Sequence, residues 1–167
     1  LLMICNEVSL GNLIPDELPS CYRFFSSKPA TAFAPFAITP DELGGAWKDG
    51  RAHIAMRCIY NGKEVGNCDA GPEMHFSFFD LIAHLAKTRN YTAGTILGSG
   101  TISNADLKHG ISCLAEQRMI ETINDGKPTT PFMQAGETIA IRAELASGDA
   151  PWGSIEQTVK PLEQTSR

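Results

Sequence analysis

Long apolar runs are missing from this sequence. The opening stretch, Leu1 to Cys5, holds five apolar residues with neither a basic flank nor a small-residue cleavage site, which excludes a signal peptide or a membrane span there. Clustered positive charge is missing too. Lys and Arg are scattered singly in a chain of net charge -5 and pI near 5.3, so no basic stripe is offered to a phosphate backbone, and nucleic acid is excluded as a partner class. The five cysteines (Cys5, Cys21, Cys58, Cys68, Cys113) are odd in number and form no CxxC pair. They read as free, mostly buried thiols in a reducing cytosol, and the expected location is cytoplasmic, with no membrane partner. His53, His75, His84 and His109 show neither HExxH nor ligand spacing to cysteine, which removes a zinc site. GxSxG is absent, and although spacing alone leaves a Ser-His-Asp triad open, nothing selects a nucleophile. No repeat or low-complexity tract is present.

What is there suffices for a globular domain. With 167 residues, 43% hydrophobic and 20% charged, the chain can bury a real core. Length points to one domain over 1–162, followed by a loose tail at 163–167. Within CIYNGKEVG, Asn61-Gly62 supplies the positive φ angles of a tight turn and predicts a β-hairpin over Ile54 to Cys68. Ser77-Phe-Phe-Asp80 before Leu81, Ile82 and Leu85, with Lys87 and Arg89 behind, predicts a capped helix of about three turns. The remainder reads as strands, over Thr31 to Thr39, Thr95 to Gly98, Ile111 to Ile123, Thr138 to Leu145 and Trp152 to Val159, punctuated by Pro, Gly and Asn-Asp-Gly. The expected fold class is therefore α+β, β-dominated, with one main helix. Leu1 to Cys5 reads as a buried strand whose upstream partners are not in the sequence.

Three features could carry chemistry. The turn Gly94-Thr-Ile-Leu-Gly-Ser-Gly-Thr-Ile-Ser-Asn104 is either an ordinary tight turn or a place where backbone N–H groups approach an oxyanion, with the Thr101 hydroxyl beside them. It matches neither the P-loop nor the dinucleotide fingerprint. Glu7 is either a solvated strand-end carboxylate or a ligand for a hard cation. Lys28, held extended by the following Pro29, is either a surface lysine or a cation aimed into a cleft.

Read in order, NEVSL at 6–10, SKPATAFAPFAITPDELG at 27–44, NGKEVG at 61–66, LIAHLAKTR at 81–89, AGTILGSGTISN at 93–104 and GSIEQTV at 153–159 resemble the fumarylacetoacetate hydrolase family along essentially the whole chain. The resemblance implies mixed β-sheets rolled around a metal-centred site, usually in a homodimer. The implied activity is cleavage of a C–C bond in a diketo acid or acylpyruvate, in aromatic compound catabolism. A divalent cation, Mg²⁺ or else Mn²⁺ or Ca²⁺, would chelate the dicarbonyl while a His-Glu pair activates water. Decarboxylation, isomerisation or hydration of related 2-oxo acids is the alternative, as is a catalytically silent fragment that binds a small acid or a partner. By the same resemblance Glu7 is a metal carboxylate, and Lys28, Gly100, Thr101 and Glu116 contact substrate. Glu7 stands where the family usually has Asp, and Gly11 where it commonly has Arg. The family's His-Glu pair and E-x-E ligands lie upstream of the matched residues. The chain therefore reads as the C-terminal part of a longer enzyme, expected to be inactive alone.

Overall fold

Asn61 and Gly62 take φ of 48° and 78°, as a two-residue turn between right-twisted strands requires. A computed structural model describes residues 1–19 and 24–161. Along the chain run strand β1 (Cys5–Asn6), the short helix α1 (Ile14–Glu17), and strands β2 (Ala32–Phe33), β3 (Trp47–Lys48), β4 (Arg51–Ala52), β5 (Ala55–Tyr60) and β6 (Lys63–Asp69). Helices α2 (Phe78–Leu85) and α3 (Leu114–Asp125) follow, then strands β7 (Thr138–Glu144) and β8 (Ser154–Thr158). Short 3₁₀ turns occupy Pro40–Ala46, interrupted by a kink at Gly44 (φ 50°), and Leu107–His109. The architecture is α+β with open sheets.

The main sheet has the order β6-β5-β7-β8, every neighbour antiparallel. Its two faces differ as alternation demands. Met56, Cys58, Ile141, Ala143 and Ile155 point inward and are buried with Ile4, Ile38, Leu43, Ile54 and Trp152. On the outer face Arg57 and Arg142 stand directly opposite each other, and their repulsion is offset by Arg57–Glu64 at 2.9 Å, Arg57–Glu144 at 3.3 Å and Arg142–Glu144 at 2.7 Å. A one-residue slip would bury those charges, so the register is fixed from both faces.

The opening run behaves differently from a fully buried strand. Ile4 is buried, but Leu1 and Met3 are exposed, so only alternate residues face the core. Its partner lies within the chain: Leu2 bridges Ile38, Ile4 O accepts from Ala34 N at 3.1 Å, and β1 pairs with β2. The strand expected over Thr31 to Thr39 shrinks to β2, because Pro35 has no N–H for a ladder. Thr95 to Gly98 forms no strand.

The expected strand over Ile111 to Ile123 is a correction of kind. That segment carries α3, so among the described residues there are two principal helices instead of one. Leu114-Ala-Glu-Gln-Arg-Met119 are strong helix formers, and Gly126 at φ 80° closes the helix in the left-handed region. Helix α2 begins as expected: Ser77 Oγ accepts from Asp80 N at 3.2 Å, and Asp80 Oδ2 accepts from Ser77 N at 2.9 Å. It stops at Leu85, about two turns, with none of its residues buried. The start of α3 is set by a close crossing: a Cβ on Gly66 would lie 2.0 Å from the Ile111 carbonyl oxygen, so only glycine lets the chain pass over β6 there. Cys21 and the tail expected at 163–167 lie outside the described residues.

Candidate functional site

Two loops and one strand end meet along an open concavity of about 1620 Å³ above the inner sheet face. The strand end is the Asn6–Leu10 segment. Asn6 Nδ2 donates to Gln157 Oε1 at 2.7 Å, which ties it to β8. Glu7 follows, 62% exposed, and its Oε1 lies 3.2 Å from Lys28 Nζ, a side chain only 29% exposed. The ammonium also donates to Ser9 Oγ at 2.9 Å. The neighbouring Cys5 thiol is pushed up, first by burial and then by the Glu7 charge, against the lowering effect of Lys28.

Lys28 is held in place by α1, whose role the sequence did not disclose. Glu17 accepts from Ser26 N at 2.6 Å and Ser27 N at 3.0 Å, as well as from the Ser27 hydroxyl. The Ser27 hydroxyl is the chief reason the Glu17 carboxyl is held below its ordinary range. Ser27 is fully buried, and its carbonyl accepts from Leu10 N at 2.8 Å, so the turn carrying Lys28 is pinned to the segment carrying Glu7. A helix of four residues thus acts through one carboxylate.

The second loop carries Gly100 and Thr101, both exposed, with Gly100 at φ 88°. Three side chains fix it. Asn104, 9% exposed, accepts from Asp69 N at 2.8 Å and donates to Asp69 O at 3.1 Å, as a strand neighbour would. Ser112 Oγ donates to Ile102 O, and Glu73 Oε2 accepts from Ala105 N at 2.6 Å. Asn104 ends the glycine-rich motif, but no local signal names its partner. Thr101 also lines a smaller cavity of about 260 Å³ beside Glu73, His75 and Trp152.

Of the residues named from sequence, Glu7, Lys28, Gly100 and Thr101 line the one concavity. Glu116 is not among its lining residues. It sits in the first turn of α3, with Oε2 buried and without a hydrogen-bond partner, and its charge helps raise the Cys68 thiol, second to burial. Its neighbours Cys113, Leu114 and Ala115 line the concavity instead.

One wall was not foreseen. A Cβ on Gly11 would lie 2.2 Å from Phe132 Cζ, so the tip of the Phe132 ring fills the space where any side chain at position 11 would stand. The Arg118 guanidinium lies 4.4 Å over the same ring and donates to Thr130 O. Glu121 holds the loop from below. It accepts from Thr129 N at 2.6 Å and Thr130 N at 2.8 Å, from the Thr130 hydroxyl and from Gln117 Nε2 at 3.0 Å. Those bonds, the Thr130 hydroxyl first, drive its carboxyl well below the ordinary range.

A divalent cation does not fit the described residues by themselves. Glu7 is a single carboxylate already paired with Lys28, whereas hard cations take six or more oxygen ligands, and among the described residues no three His, Cys, Asp or Glu side chains are grouped to hold a metal. Also among the described residues, no helix is long and apolar enough to cross a membrane.

The profile of the family described as "Fumarylacetoacetate (FAA) hydrolase C-terminal" matches residues 1–160. No curated protein matches the chain.

Proposed function

Because the chain belongs to the fumarylacetoacetate hydrolase family, whose members are hydrolases, decarboxylases and isomerases that generally bind divalent metal ions, we propose that it binds a 2-oxo or diketo acid along the Lys28–Thr101 edge of the concavity. We assign it to cleavage of a C–C bond in an acylpyruvate or fumarylacetoacetate-type substrate. The observation that carries this reading is that Glu7, Lys28, Gly100 and Thr101, distant in sequence, line one concavity and that Lys28 is tethered toward it.

In such a cleavage water adds to the acyl carbonyl, the bond to the adjacent methylene breaks, and the electron pair leaves as the enolate of the released oxo acid, a 2-oxo acid from an acylpyruvate and a 3-oxo acid from a fumarylacetoacetate-type substrate, which then takes a proton. The groups here suit the charge that develops. Lys28 supplies an ammionium-type point charge to an enolate or carboxylate oxygen, and the Thr101 hydroxyl with the backbone at Gly100 supplies hydrogen-bond donors. Glu7 holds Lys28 at the cleft edge. It is also the one carboxylate we assign to Mg²⁺, or to Mn²⁺ or Ca²⁺, an ion that would require further oxygen ligands beyond the described residues. Aromatic compound catabolism in the cytoplasm is the setting we propose. The same reading pairs two copies of the chain; exposed Phe76, Phe79 and Ile82 around α2 support a covered surface there. Sedimentation at the 18.1 kDa of one chain would remove the dimer.

The test is binding and product analysis with acetylpyruvate and Mg²⁺ for wild type, Lys28→Met and Lys28→Arg. Acid binding should weaken at least tenfold in Lys28→Met and recover partly in Lys28→Arg. Equal binding by all three would overturn the site, and release of CO₂ in place of two acids would move the reaction to decarboxylation.

A further inference from the structure

Among the described residues, charge in the concavity is confined to three side chains, Glu7, Lys28 and Arg89. Its floor is the inner sheet face, with Met56, Cys58, Ile139 and Ile141, which offer hydrocarbon and one neutral thiol. Tyr60 also reaches it, but its hydroxyl is already given to Glu137 Oε2 at 2.5 Å. The neighbouring wall is Phe132, seated on Gly11 two residues beyond Ser9, and the Arg118 cation over that ring is occupied by the ring and by the Thr130 carbonyl. Among the described residues two cations line the concavity: Lys28 beside Glu7, and Arg89, exposed beyond α2. A ligand seated on Lys28 therefore finds no second cation for its other end unless it reaches out to Arg89, and most of the surface it meets is apolar.

We propose that the site takes carboxylic acids whose other end is an uncharged alkyl or aryl group lying between the sheet floor and Phe132, and that Phe132 is the residue that sets this preference. Space supports it, since Gly11 is the position at which any larger side chain would push Phe132 aside. This inference rests on the reading above that the polar edge binds the acid group of a 2-oxo or diketo acid.

Calorimetric titration of the whole protein with acetyl-, butyryl-, hexanoyl-, benzoyl- and fumarylpyruvate tests it, alongside the plain acids acetate, butyrate, hexanoate and benzoate. Affinity should rise about twofold to fourfold per added methylene, as burial of hydrocarbon gives, and hexanoylpyruvate should outbind fumarylpyruvate. Phe132→Ala should cut the benzoyl-to-acetyl affinity ratio roughly threefold to tenfold, the worth of an aromatic contact, while Phe132→Leu keeps most of it. Should Phe132→Ala fail to fold, the wild-type series and Phe132→Leu still decide. A flat series, or tighter binding of the terminal carboxylate, would overturn the inference while leaving the diketo-acid reading in place. Chain-length dependence among the plain acids with no advantage for the diketo acids would do the reverse. Absence of binding by every probe would remove both.

Discussion

Replacing Asn104 with Ala tests how the glycine-rich loop is held. Its amide makes two bonds to the backbone of Asp69, at 2.8 and 3.1 Å, from a side chain 9% exposed. Truncation leaves the Asp69 N–H and C=O without those partners, and a buried polar group stripped of its partner costs about 1–3 kcal/mol. Partial access of water to the new gap brings the total for both groups to about 2–4 kcal/mol. In a chain of this size 1 kcal/mol moves Tm by about 3 °C, so Asn104→Ala should melt roughly 6–12 °C lower. Asn104→Asp discriminates the mechanism. It keeps the acceptor for Asp69 N but sets a charged oxygen against the Asp69 carbonyl, so it should be destabilised despite equal size. Circular dichroism melts give the stability, and limited proteolysis across 94–104 reads the loop. Melting of Asn104→Ala within 2 °C of wild type, with an unchanged cleavage pattern, would refute the claim that this amide pins Thr101 at the cleft.

Glu121 has a folded-state pKa below its unfolded value, so its contribution is present above the ordinary carboxylate pKa of about 4.3 and is lost as pH falls below it. Melting curves from pH 7 to 3 should therefore decline less steeply for Glu121→Gln than for wild type, and parallel curves would count against the carboxylate's role. At the other end, burial pushes the Cys58 thiol from 9.0 up to about 11, a contribution present below pH 9 and lost as pH rises through 11. Cys58→Ala should flatten that alkaline limb in part, since Tyr60, raised from 10.0 to about 12 chiefly by its hydrogen bond to Glu137, shares it. Glu7→Gln should change stability by less than about 1 kcal/mol, as for other exposed ion pairs. In metal-free buffer it should bind pyruvate up to about fivefold more tightly by releasing Lys28; weaker binding there would show that the carboxylate does more than tether the lysine.

Legibility followed the range of the interactions. The Asn61-Gly62 hairpin and the Ser77/Asp80 box could be read because each is specified within four residues, and both formed. Over Ile111 to Ile123 the β-branched Ile111, Ile120, Thr122 and Ile123 suggest a strand, but the last three lie within the helix, and the helix formers Leu114 to Met119 with Gly126 are the stronger local signal. The all-apolar opening run predicts a buried strand, whereas pairing with Ile38 and Ala34 on one side leaves alternate side chains outside. At the site, residue types that bear charge or sit in glycine-rich turns were visible. What holds them was not: Glu17 under Ser27, Asn104 on Asp69 and Phe132 on Gly11 are pairings between distant segments whose members look ordinary in sequence.

Those supports differ in stiffness, and the difference bears on how a ligand could enter. Ser27 and Asn104 are buried and bonded to backbone, so the two loops they anchor are costly to move. The Glu7–Lys28 pair at the edge is the opposite case, with one partner 62% exposed and screened by water. On the proposed reading, an incoming carboxylate competes with a weak internal partner for a lysine whose backbone is fixed. The fixed backbone limits the entropy lost on binding, and the weak pair limits what must be broken. A buried pair would have made Lys28 unavailable, and an unpaired lysine on a loose turn would have paid for its ordering at each encounter. A rigid turn carrying a loosely held cation is the arrangement that leaves the charge both placed and exchangeable.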